Sequence, residues 1–161
     1  MFPALRPILN KGGAGRYATR EETAERLIPL VRSHHELLLA YDNALANLDD
    51  GDARALLDAL MPRARTESGK LSETVFSMGA TPPNGTDLEP AGSGSKETDA
   101  ELLYRVLNLE RDYCETLAGE IDAIHHQERT RAILKVVRDG SEARLEVVRS
   151  FTNRLPQPAR D

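Results

Sequence analysis

The chain has no tryptophan, one cysteine and few aromatic side chains, Phe, Trp and Tyr together making up 4% of 161 residues. A lone Cys114 excludes an internal disulfide and any metal cluster held by several cysteines. Placed beside a helical apolar stripe, it reads as a buried, inert thiol. No apolar run approaches the roughly 18 residues that a membrane span requires, so no membrane partner is expected. Pro3 and Pro7 break the apolar start and no long apolar core follows it, so no secretory signal and a cytoplasmic location are expected. An excess of positive charge is also missing. The net charge is −5, with both signs mixed along the chain, which argues against a nucleic-acid binder. Only residues 1–20 run the other way, with Arg6, Lys11, Arg16 and Arg20 and no acid. Such a short basic arm could touch an anionic partner.

Ala, Leu, Glu and Arg are abundant, which favours helix over sheet, and the length is that of one domain. Residues 1–18 form an irregular arm. Thr19-Arg-Glu-Glu22 is a capping box that opens a first helix over about 19–49, with Pro29 inside it. Its stripe is Leu27, Leu30/Val31, His34, Leu37/Leu38, Tyr41, Leu45 and Leu48. Gly51 suits a left-handed stop and Asp52 an N-cap, giving a tight corner and an antiparallel second helix over about 52–79. That helix carries Pro62 and ends at Gly79. Residues 80–97, with Pro82-Pro83, Asn84-Gly85 and Gly92-Ser-Gly-Ser95, have no periodicity and read as a loop. Eighteen residues reach ~59 Å when extended. A helix of about 28 residues is only ~42 Å long, so this loop can cross a whole bundle. Thr98-Asp-Ala-Glu101, a second capping box, opens a third helix over about 98–125. A fourth covers about 128–153, with Ile133, Val136/Val137, Val147/Val148 and Phe151 placed on its core side. The tail is 154–161. The expected fold is all-α: a four-helix bundle over 19–153, up-down-down-up, with the crossover between helices two and three.

Each stripe is interrupted once. In helix three Glu110 falls seven residues after Leu103 and seven before Leu117. A carboxylate there must be paired, protonated or metal-bound. The other interruptions are His34, Glu67/Ser68 and Arg144. Counted from the tight corners, all four lie 15 or 16 residues up their helices. That places them at one height, about 23 Å from the corners. A buried polar layer of His34, Glu67, Lys70, Glu110 and Arg144 is therefore expected, as two neutral pairs, Glu67 with Lys70 and Glu110 with Arg144. His34 would hydrogen-bond either carboxylate, and the cations would hold both acids below the usual carboxylate range.

Two helical hairpins, one long crossover and polar residues at mid-height resemble the ferritin-like superfamily, of bacterioferritin or rubrerythrin type. The phrase LSETVFSMGATPP is similar to the end of helix two in such domains, and His34 lies seven before Tyr41, where related chains place a ligand Glu before a Tyr. The resemblance implies a di-metal site with Glu on helices one and three and Glu-x-x-His on two and four. Glu110 matches. Elsewhere the chain offers His34, Glu67-x-x-Lys70 and Asp139-x-x-Glu142, and Glu-x-x-His occurs nowhere. The set His34, Glu67, Glu110 and Glu142 is the metal candidate, for iron or another divalent ion. The reading preferred from the residues is a layer without metal or other cofactor.

His35 is expected on the surface, and His125-His126 at a corner too far from His34 to share a metal. Gly12-Gly13-Ala14-Gly15 lacks the flanking strand and Lys-Ser/Thr of a phosphate loop. No nucleophile–His–acid set is present, so no catalytic residue is assigned. Three functions remain open: a ferritin-like bundle that has lost metal chemistry and serves as a structural, binding or stress-associated module; a metal-dependent oxidase or iron-handling protein; and a helical adaptor for a protein partner. A partly apolar arm and two prolines within helices favour a homodimer.

Overall fold

A computed structural model describes residues 17–89, 96–124 and 126–155. The N-terminal arm through residue 16, the homodimer contact expected of it, His125 and the end of the tail lie outside these. Among the described residues there are four helices: α1 Arg20–Asn47, α2 Gly51–Ser77, α3 Asp99–Ala123 and α4 Glu128–Thr152.

Local chemistry sets the ends of these helices. The Thr19 hydroxyl accepts from the Glu22 amide and the Glu22 carboxylate accepts from the Thr19 amide, and Thr98 and Glu101 repeat this reciprocal cap on α3. The first corner corrects the sequence reading. Asp50, not Asp52, caps α2 through the Ala53 amide, and Gly51 is already helical with no positive φ. The Asp99 carboxylate accepts from the Asp49 and Asp50 amides at 2.9 and 2.8 Å. It holds the corner with the N-cap two residues earlier than local sequence implies. Gly79, at φ +88°, ends α2. The Ala80 amide reaches the Val75 carbonyl and the Gly79 amide the Phe76 carbonyl, the paired bonds of a Schellman cap.

α1 packs on α2 and α3, and α4 packs on the same two, so α1/α4 and α2/α3 are the diagonals. Cross-helix bonds fix the directions. His34 meets Tyr113 and Tyr41 meets Glu110 between α1 and α3, while Glu67 meets Arg144 between α2 and α4. All neighbours are therefore antiparallel, and α3 runs parallel to α2 across the diagonal, the up-down-down-up order with one crossover.

Leu27, Leu30, Leu37, Leu57, Leu71, Leu103, Leu117 and Leu134 fill the core at 0–1% exposure, each worth about 1.5–3 kcal/mol of burial. On α4 the stripe is rotated from the expected one. Leu134, Val137 and Val148 point inward, whereas Val136 and Val147 are 46% and 36% exposed. In each Val-Val pair periodicity allows either residue to face the core, and contact with α2 and α3 selects the second.

Candidate functional site

Ten polar or charged residues are buried among the described residues, and the charged ones converge at mid-height. Arg144 of α4, 1% exposed, joins two helices at once. Its Nε donates to Glu110 of α3 at 2.5 Å and its Nη1 to Glu67 of α2 at 2.6 Å. Glu110 Oε1 also accepts from the Tyr41 hydroxyl at 2.9 Å, and its Oε2 from the Ser141 hydroxyl. Ser141 in turn accepts from the Cys114 thiol at 3.2 Å. Glu67 takes a second cation, Arg63, one turn earlier on its own helix at 2.9 Å. Arg144 Nη2 is buried with no hydrogen-bond partner.

Gly140 makes the layer possible. A Cβ on it would overlap the Glu67 carboxylate, so α4 presents bare backbone where α2 inserts an acid.

His34, also fully buried, belongs to a second branch. Its Nε2 lies 2.9 Å from the Ala64 carbonyl and its Nδ1 2.9 Å from the Tyr113 hydroxyl. A carbonyl only accepts, so Nε2 carries the proton and Nδ1 accepts from tyrosine. The ring is neutral and its tautomer is set. Burial, then the Arg144 charge, pushes its pKa down to about 4.

Several expectations are corrected. Lys70 is exposed and outside the layer, so Arg144 alone serves both acids from within the core, helped by Arg63 at the surface. Glu142 is exposed and pairs with Arg138 at 3.3 Å, so the proposed ligand set His34, Glu67, Glu110 and Glu142 does not assemble. His34 bonds neither carboxylate. Glu110 is raised, not lowered: burial outweighs the opposing pull of Arg144, Ser141 and Tyr41. Burial pulls Arg144 down, but Glu110 and Glu67 together more than restore it, so it stays cationic. Burial raises Tyr41, Tyr113 and Cys114. His35 is half-buried rather than exposed, its Nε2 donating to the Pro83 carbonyl at 3.1 Å. His126 stands at the α3–α4 corner with its ring centre 3.9 Å from that of Tyr17, edge to face.

Tyr113, Gly140 and Ser141 escaped the sequence reading as site residues. The signal was present at helical spacing: Tyr113 is three residues after Glu110 and Ser141 three before Arg144, each on the same face.

The donors do not fit a di-metal centre. A guanidinium stands between the carboxylates, and both His34 nitrogens are engaged. Among the described residues no group of three or more His, Cys, Asp or Glu is arranged to hold a metal ion.

Fold and site together define a single-crossover four-helix bundle with a buried arginine–dicarboxylate layer. The sequence matches no protein-family model and no curated protein. No described helix is long and apolar enough to cross a membrane.

Proposed function

We propose that this protein is a ferritin-like bundle without di-metal chemistry, acting as a non-catalytic structural or binding module. The observation that carries the reading is Arg144. Its guanidinium takes the central position between Glu67 and Glu110, the place a bridging cation would hold. The single-crossover topology supports the ferritin-like relationship. A fixed internal cation keeps the four helices in register without the redox or Lewis acidity of a metal ion. Buried ion networks of this kind set geometry more than they add stability.

Thermal melts with and without chelator, on wild type and Arg144 variants, test it. The wild type should melt at the same temperature in both conditions. Arg144→Met should lose about 3–5 kcal/mol, because it leaves Glu110 buried without a cation and Glu67 with Arg63 alone. Adding Glu110→Leu and Glu67→Gln should recover much of that loss. A melting temperature that chelator lowers, together with a harmless Arg144→Met, would show a metal carrying the charge instead and defeat the proposal.

A further inference from the structure

We propose that the open groove between α2 and α4 docks an acidic peptide segment of a partner protein bearing an aliphatic anchor residue. This rests on the reading of the chain as a binding module and names the surface and the partner chemistry.

The groove encloses about 770 Å³. Met78, Ile133 and Val136 give it an apolar floor, and Val136 is 46% exposed there. Arg20, Lys70 and Arg129 stand around it against one acid, Glu73. Among the described residues neither Lys70 nor Arg129 has an ion-pair partner. An apolar floor with an excess of cations, on a protein of net charge −5, is a local reversal of the surface field.

The opposite face shows what such a groove holds. There the described parts of the crossover, residues 80–89 and 96–97, lie against α1 and α3. Its Asp87 pairs with Arg32 at 2.8 Å, its Glu97 pairs with Arg105, and half-buried Leu88 lines a cleft with Leu39 and Leu109. Acid-to-arginine pairs flanking an aliphatic anchor are thus chemistry this chain already uses on itself, there with Glu36 also lining the cleft. The α2/α4 face offers the same complement with no described segment of the chain across it. Two other occupants fit less well. The N-terminal residues carry Arg6, Lys11 and Arg16 and no acid, and a second copy apposing this same face would bring the same cations, so both oppose like charge to like.

The test uses the full chain and a fluorescein-labelled synthetic peptide of two Asp-Leu-Glu repeats, with a Lys-Leu-Lys peptide as control, read by fluorescence anisotropy. The acidic peptide should bind saturably and more weakly as salt rises. Lys70→Glu with Arg129→Glu, and separately Val136→Asp, should weaken it at least about tenfold. Lys135→Glu, an exposed α4 cation outside the groove, should leave it unchanged. Matched melting temperatures check that the variants fold. No saturable binding of the acidic peptide up to millimolar concentration, or equal binding of the basic one, overturns the proposal. A dimer in light scattering that Val136→Asp dissolves assigns the groove to a second copy and also overturns it. So does a tenfold affinity gain on deleting residues 1–16, which assigns the groove to the arm. The chelator melts are independent of all these readouts, so failure here is distinguishable from failure of the metal-free reading.

Discussion

At the scale of single residues, the layer depends on a missing side chain as much as on charged ones. Glu67 is 2% exposed and held from two sides by arginines. It cannot retreat when a methyl appears opposite. Gly140→Ala should therefore destabilise by about 1–3 kcal/mol, as overpacking does. In a Glu67→Ala background the same change should be milder, a coupling of about 0.5–3 kcal/mol in a double-mutant cycle by chemical denaturation. Gly119 supplies the control. It is helical and exposed, and a Cβ added there would meet nothing within 4 Å, so Gly119→Ala should stabilise by about 0.5–1 kcal/mol. If both alanines stabilise alike, Gly140 is not what admits Glu67.

At the scale of elements, the hairpins are tied together at their ends as well as through the core. Asp99, in the first turn of α3, accepts from two amides of the α1–α2 corner, those of Asp49 and Asp50. Asp50 then caps α2 from that linker. One carboxylate so ties the start of α3 to the end of α1 and the start of α2, through two linker amides. Asp99→Ala should cost about 1–3 kcal/mol, since hydrogen bonds to a charged acceptor are the stronger kind. It should also speed hydrogen exchange at the Asp49 and Asp50 amides selectively. Uniform exchange across the bundle would mean that the corner does not depend on Asp99.

At the scale of the whole molecule, His34 links folding to pH. It faces the Ala64 carbonyl on α2, Tyr113 on α3 and the Arg144 charge on α4, with His35 beside it on α1. Its pKa falls from 6.5 to about 4 on folding. Between these values the unfolded chain binds more protons, so stability is fully present above 6.5 and lost as pH falls toward 4. The loss is about 3 kcal/mol for a shift of this order. Glu110 runs the opposite way: its raised pKa favours the folded state at low pH and that benefit fades as pH rises above the unfolded carboxyl value. His34→Gln can keep a donor to Ala64 and an acceptor for Tyr113 without titrating. Melting curves of this variant across that range should be flatter than those of wild type, and equal slopes would clear His34 of the effect.

Much of the architecture was legible because its signals are local. Two capping boxes, Gly79 and a crossover without periodicity mark the helices and their order through chemistry within a few residues. The interrupted stripes marked Glu110, Glu67 and Arg144 as inward, since an apolar period leaves no other face for them. Pairing was not legible in the same way. Whether Lys70 or Arg144 served Glu67 turned on the rotation of α2 against α4, which leaves Glu67 in the core and Lys70, at the edge of the same face, in solvent. The same rotation put Val137 rather than Val136 inside, sent Glu142 to solvent and aimed Glu67 at Gly140. His34 was legible as buried, but its partners, a carbonyl of α2 and a hydroxyl of α3, became neighbours only when three helices packed together. Sequence by itself determined which residues had to leave water. Tertiary structure decided whom they met there, because that choice depends on helix rotation and contact across the bundle, which no periodicity within one helix encodes.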